Sequence, residues 1–182
     1  MKKLLAVSVF VCCAAFLLFL RGCSAPNVEQ KQDHGKSYAE IMNEKLVSFT
    51  DCANAFSDSV EQIADRKYAP SNSQIADIQK NLDRLEKACK ELSGQNAPAA
   101  YSEAQSALDA AMADYSDAID KCGSLLEFYS GYDDMFRQYD NPTEGSAITE
   151  KKERALYNEF AKAMQKASDS FRAACEKFSK AQ

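Results

Sequence analysis

The sequence predicts an all-α protein whose main domain is an up-down-up-down four-helix bundle with coiled-coil-like packing, preceded by an apolar segment and a polar tether. Apolar residues recur at alternating spacings of four and three through four long segments, the period of a helix that buries one stripe. Short stretches with proline or glycine separate these segments, and none alternates apolar and polar residues as a half-buried strand does. Because short connections make successive helices antiparallel neighbours, the segments predict a bundle.

The first 22 residues have the pattern of an export signal. Lys2 and Lys3 form a short positive region, and the 17 residues 4–20 are an unbroken apolar run that ends in small or polar residues. Residues 1–22 are therefore predicted to be a signal peptide that takes no part in the fold.

The end of this run, Leu20-Arg21-Gly22-Cys23, resembles the lipobox of bacterial lipoproteins, in which an aliphatic, a variable and a small residue precede a cysteine. The resemblance implies that the Cys23 thiol carries diacylglycerol, that the chain is cut before Cys23, and that the new N-terminus is acylated. Ser24 follows, as in lipoproteins that are not retained at the inner membrane. The resemblance thus implies attachment to the outer membrane or the cell surface through lipid on Cys23.

Two alternatives for the N-terminus stay open. An apolar run of 17 residues is at the short end of the ~17–25 that span a bilayer, so it also fits an uncleaved anchor with Lys2 and Lys3 in the cytoplasm. Ordinary secretion is the other. Each alternative places residues 24–182 outside the cytoplasmic membrane.

Composition limits what the exported chain does. Residues 1–22 contain three basic and no acidic side chains, which leaves 19 basic against 27 acidic ones and a net charge of −8. An acidic chain lacks the clustered basic face expected of a nucleic-acid-binding protein, so no nucleic-acid partner is predicted. The remaining length suits one domain with one core.

Residues 23–36 are predicted to be the lipidated cysteine and a flexible tether, because the stretch is polar, contains Pro26 and Gly35, and lacks an apolar period. The single histidine of the chain, His34, lies in this tether. A lone histidine outside the domain predicts neither a metal site nor a catalytic base.

Capping boxes mark the starts of the first two helices. The motif SYAE from Ser37 opens a helix over about 37–67, and SNSQ from Ser71 opens a second over about 71–94. The apolar stripes of these helices predict core residues, namely Met42, Leu46, Phe49, Ala53, Phe56, Val60 and Ile63, followed by Ile75, Ile78, Leu82, Leu85, Cys89 and Leu92.

Pro98 opens a third helix over about 98–130, because proline suits the first helical turn. A loop at 140–145 then precedes a last helix over about 147–180. The stripes of these helices predict further core residues, namely Tyr101, Ala104, Leu108, Ala111, Tyr115, Ala118, Cys122 and Leu125, followed by Leu156, Phe160, Met164, Ala167, Phe171, Ala174 and Phe178.

The domain, residues 37–182, contains four cysteines, and an even number in an exported chain predicts two disulfides. Cys52 and Cys89 lie at similar distances from the first turn, with a height difference of about 5 Å, which favours their pairing. Cys122 and Cys175 remain by elimination, although their heights differ by roughly 16 Å. The alternative is four buried thiols that act as small apolar residues.

The sequence offers no catalytic constellation. A serine or cysteine nucleophile would lack a histidine base in the domain, and neither a phosphate-binding glycine loop nor a zinc-binding HExxH occurs. No enzyme activity, cofactor or metal is predicted. One aromatic cluster is a possible recognition patch, with closure of one end of the core as the alternative, and comprises Phe128, Tyr129, Tyr132, Phe136 and Tyr139.

These features together predict a non-enzymatic, membrane-anchored envelope lipoprotein whose bundle binds an envelope protein or has a structural role. The first alternative is a bundle that senses or sequesters a small ligand in a cavity between its helices. The second is an inhibitor or immunity-type lipoprotein. The many alanines in the predicted stripes favour close helix approach over a roomy cavity, so ligand binding ranks lower.

Overall fold

The structure is a computed structural model that describes residues 37–64, 70–131 and 142–181. Four α-helices account for most of this part, and no strand occurs in it: α1 (Tyr38–Ala64), α2 (Asn72–Leu92), α3 (Ser102–Ser130) and α4 (Pro142–Ala181). A 3₁₀ turn, Ala99–Tyr101, precedes α3. The all-α class and the helical bundle are therefore confirmed. The predicted signal peptide and tether lie outside the described residues.

Both predicted capping boxes are present. At α1, the Ser37 N–H donates to Glu40 Oε2 over 2.7 Å and the Glu40 N–H donates to Ser37 Oγ over 3.3 Å. At α2, Ser71 and Gln74 make the same reciprocal pair. Each box satisfies two N–H groups that the helix itself leaves unpaired, and this fixes where both helices begin.

The start of the last helix was predicted wrongly. The loop expected at 140–145 is helical from Pro142 onward, so α4 begins five residues before the predicted position and includes Gly145. Proline is favoured at the first helical position because its missing N–H has no partner there in any case. Pro98 was predicted to be the first residue of the third helix. It instead caps the 3₁₀ turn, and α3 starts only at Ser102.

The predicted apolar stripes form the core. All seven stripe residues of α1 are buried, as are those of the other helices except Ile75, Tyr101 and Leu156, which are partly buried and pack against the core. Aromatic rings join α1 to the second half of the chain, with Phe49 packed against Phe171 and Tyr115 at centroid distances of 4.6 and 4.9 Å. The core is thus shared by all four helices.

Helices α3 and α4 run in opposite senses. Glu103 near the start of α3 pairs with Lys177 near the end of α4 at 2.7 Å, whereas Tyr129 near the end of α3 bonds Glu153 near the start of α4. The contact between α3 and α4 is the most extensive, that between α1 and α2 is smaller, and that between α2 and α3 is the least extensive of the three.

The two predicted disulfides are not formed, because all four cysteines of the domain are thiols. The Glu103–Lys177 bond marks one level shared by α3 and α4, which run in opposite senses. Cys122 lies 19 residues after Glu103, so its level on α4 is 19 residues before Lys177, near residue 158. Cys175 is 17 residues from that level, a separation of about 25 Å along the helix axis. No bridge between Cys122 and Cys175 can cover this distance.

Burial raises the pKa of the Cys89 thiol to about 12, and the neighbouring Glu86 and Cys52 add to this shift, so Cys52 lies in the surroundings of Cys89. Counting residues fixes only their level along two helices, whereas a bridge also requires the two Cβ vectors to converge. Cys89 is buried and Cys52 is half-buried, so the two side chains occupy different environments. Similar height was therefore not sufficient to predict a bond.

Candidate functional site

A buried polar network closes the end of the bundle nearest Ser37, which we call the tether end. Gln105 is 5% exposed and makes three hydrogen bonds: its Oε1 accepts from the Tyr38 hydroxyl over 2.8 Å, and its Nε2 donates to the Leu92 carbonyl over 3.0 Å and to Asp109 Oδ1 over 2.8 Å. One side chain on α3 thereby joins the start of α1 to the end of α2. Sequence analysis missed Gln105, which occupies an apolar stripe position as a polar residue.

The environment of Tyr38 keeps its hydroxyl protonated. Burial raises the pKa of Tyr38 to about 12, and the nearby charge of Asp109 and the hydroxyl of Tyr101 add to the shift. The neutral hydroxyl can therefore donate to Gln105 at any physiological pH. The rings of Tyr38, Tyr101 and Phe178 also pack against one another, with centroids 5.0–6.3 Å apart. This cluster stabilises the fold and presents no reactive group.

The aromatic cluster proposed for recognition lies in two parts. Phe128 and Tyr129 are only 6% and 7% exposed and pack against each other. The Tyr129 hydroxyl donates to Glu153 over 2.7 Å, and the Lys152 ammonium sits 5.7 Å from the centre of the Phe128 ring. Both residues therefore belong to the core. The remaining members, Tyr132, Phe136 and Tyr139, lie outside the described residues.

The thiols of the core are poorly placed for chemistry. Burial raises the pKa of both Cys89 and Cys122 to about 12, so each stays protonated and weakly nucleophilic. Within the described residues, no three His, Cys, Asp or Glu side chains gather closely enough to hold a metal ion.

A groove of about 650 Å³ lies between the first half of α2 and the last half of α3, at the end of the bundle opposite the tether end. We call it the α2–α3 groove. It lies between two helices whose mutual contact is less extensive than that of α1 with α2 or of α3 with α4. Its α2 wall consists of Asn72, Ile75, Ala76 and Gln79, and its α3 wall consists of Gly123, Leu126, Glu127 and Ser130.

The α2–α3 groove combines an apolar floor with a polar rim. Ile75 and Leu126 pack against the core at its base, whereas Gln79 and Glu127 are exposed at its edges. Among the described residues, two helices supply its walls, and the groove opens to solvent along one side. A small-molecule site commonly buries about 70–90% of its ligand, which requires closure on more sides. The shape fits one face of an elongated partner better than an enclosed small molecule.

Gly123 gives this groove an unusual wall. It is an interior residue of α3, where glycine costs about 1 kcal/mol relative to alanine, yet a Cβ placed on it would meet nothing within 4 Å. Packing inside this chain therefore does not require glycine at position 123. The sequence shows Gly123 inside a helical pattern, where glycine lowers helix stability without ending the helix.

No protein-family model, curated protein or solved structure matches this chain. Among the described helices, none is both long enough and apolar enough to cross a bilayer. The function of the protein must therefore be argued from its own residues.

Proposed function

We propose that the protein is a non-enzymatic lipoprotein of the cell envelope, anchored through lipid on Cys23, whose helical bundle binds another protein. The segment Leu20-Arg21-Gly22-Cys23, placed after a positively charged start and an apolar run, is the observation that carries the anchoring. A multiply acylated cysteine would hold the domain stably at a membrane surface, because each buried CH₂ contributes about 0.8 kcal/mol.

Protein binding is supported by the contrast between a closed core and an open groove with an apolar floor. The buried polar groups of the described helices have hydrogen-bond partners, and the aromatic residues of the α1, α3 and α4 stripes pack inside. The α2–α3 groove lies opposite the tether end, so a partner could reach it without meeting the membrane.

Small-ligand binding is the second candidate. The groove volume of about 650 Å³ favours it, because it lies within the ~300–1,000 Å³ of ligand sites.

We further propose an up-down-up-down order with coiled-coil-like packing. The opposite senses in which α3 meets α4, and in which Tyr38 and Phe56 of α1 meet Phe178 and Phe160 of α4, support this order. The seven-residue repeat of buried residues along α1, Met42 to Phe49 to Phe56 to Ile63, supports the packing mode.

The anchoring is tested by metabolic labelling with an alkyne fatty acid in bacteria that express the full chain. The wild type should acquire the label and lose residues 1–22, whereas Cys23→Ser should acquire no label. Cys12→Ser is the matched control, because it changes a cysteine of the apolar run and should leave both events intact. Labelling of Cys23→Ser, or a wild type that keeps Met1 unlabelled, would refute lipidation at Cys23.

A further inference from the structure

Two carboxylates flank Gly123 on the open face of α3. Asp120 lies three residues before the glycine and Glu127 four residues after it, which are the spacings of neighbours on one helix face. Both side chains are exposed, and neither forms an ion pair with another residue of the described part. Over its whole length α3 carries six acidic side chains and one basic side chain. The groove therefore has an apolar floor with Glu127 in its α3 wall, and Asp120 lies about one turn beyond Gly123 on the same face of α3.

We propose that the α2–α3 groove docks an amphipathic helix of a partner protein, with the apolar stripe of that helix on the groove floor and lysine or arginine side chains facing Asp120 and Glu127. Gly123 is the position of closest approach, because a helix without a side chain there exposes its backbone to the partner. The inference rests on the proposed protein binding and names its site and the class of its partner.

Geometry favours a helix over an extended peptide as the occupant. A peptide that binds as a strand needs an exposed sheet edge for its backbone hydrogen bonds, and both walls of this groove are helices. Each wall runs over eight residues, from 72 to 79 and from 123 to 130, a length of about 10 Å. Two turns of a partner helix fit that length and would present apolar residues at three- and four-residue spacings.

Charge argues against a second copy of this chain as the occupant. A two-fold symmetric contact through the same face would bring Asp120 and Glu127 of one copy towards the same residues of the other. Like charges placed together in an interface are unfavourable, whereas a basic flank on the partner would neutralise both carboxylates. Charge complementarity thus favours a basic amphipathic helix as the occupant of the groove.

The test uses the full chain in nanodiscs of phosphatidylcholine, whose zwitterionic surface does not attract a basic peptide by charge. The probe is a fluorescent helical peptide of about 18 residues, with leucine and alanine on one face flanked by lysines. A second probe has glutamate in place of each lysine. Fluorescence anisotropy gives the two dissociation constants, with empty nanodiscs as the blank. We expect the lysine peptide to bind at least about tenfold more tightly.

Gly123→Leu should fill the groove without disturbing the fold, since the space beside Gly123 is empty. We expect this variant to weaken binding of the lysine peptide by at least about tenfold. Ser124→Leu is the matched control: it adds the same side chain at an exposed position about 100° away around α3 and should change binding less than twofold. Circular dichroism should show that neither variant melts at a lower temperature.

If Gly123→Leu lowers the melting temperature, the exposed variant Glu127→Lys tests the proposal instead. We expect it to weaken binding of the lysine peptide by at least about tenfold as well. Equal binding of the two peptides, or equal effects of Gly123→Leu and Ser124→Leu, would overturn the proposal. So would a dimer of the full chain that Gly123→Leu dissolves, because the occupant would then be a second copy. Failure of the lipid anchoring is distinguished from failure of the groove proposal by the mass of the peptide that contains Cys23, because lipidation of Cys23 does not depend on the groove.

Discussion

Replacing Gln105 by leucine should be among the most destabilising single changes in the described part of the protein. Leucine has a similar volume but leaves the Tyr38 hydroxyl without its acceptor and the Leu92 carbonyl without its donor. Leaving a buried polar group unsatisfied costs about 1–3 kcal/mol, so two such groups predict a loss of at least about 2 kcal/mol. That is a large fraction of the ~5–15 kcal/mol that stabilises a typical domain.

Urea unfolding followed by circular dichroism measures this loss, and Gln165→Leu is the control. Gln165 also donates to an aspartate four residues further on, but it is exposed, so its replacement should cost less than about 0.5 kcal/mol. The double variant Tyr38→Phe/Gln105→Leu should lose less than the sum of the single variants, because removing both partners leaves fewer unsatisfied groups. Equal losses at Gln105 and Gln165, or strict additivity, would refute the network's role.

Three further predictions concern titration and reactivity. Because the pKa of Tyr38 is raised from 10.0 to about 12 in the folded state, its contribution to stability should be complete below pH 10 and lost as pH rises through about 12; the difference between wild type and Tyr38→Phe across this range measures it. Asp114 accepts from Lys166 and Ser170, which lowers its pKa, so Asp114→Asn should cost about 1 kcal/mol at neutral pH and nothing once acid has protonated the wild-type carboxyl; urea unfolding at a series of pH values checks this. In the folded protein Cys122 should resist iodoacetamide at pH 8, and labelling of Cys122 as fast as in urea, seen by peptide mass spectrometry, would contradict its burial.

The core could be predicted because its signal is periodic. Residues such as Phe49, Phe56 and Phe171 are buried where the spacing of four and three places them, since a helix that packs along its length repeats one face every seven residues. The capping boxes at Ser37 and Ser71 could also be predicted from the sequence, because the residues that bond each other lie only three positions apart.

Features that depend on tertiary geometry were harder to predict. The bridge expected between Cys52 and Cys89 needed the directions of two side chains, which residue counting does not give. Pro142 was assigned to a loop because proline ends helices as well as beginning them, and only the structure shows that α4 starts there.

The candidate site was outside the reach of pattern analysis for a similar reason. The α2–α3 groove depends on how these two helices pack in the bundle, where their mutual contact is less extensive than that of α1 with α2 or of α3 with α4. The stripe alanines favoured close helix approach over a roomy cavity, but none of them lies on α2, so they carried no information about the space between α2 and α3. Helix α3 continues through Gly123 without interruption.

The measurement that tests the central claim most directly is the intact mass of the protein purified from bacterial membranes, followed by fragmentation of its N-terminal peptide. The account predicts a chain that begins at Cys23, lacks residues 1–22, and carries diacylglycerol on the Cys23 sulfur together with an acylated N-terminus. A chain that keeps Met1 and has an unmodified Cys23 would contradict lipid anchoring and favour an uncleaved membrane anchor.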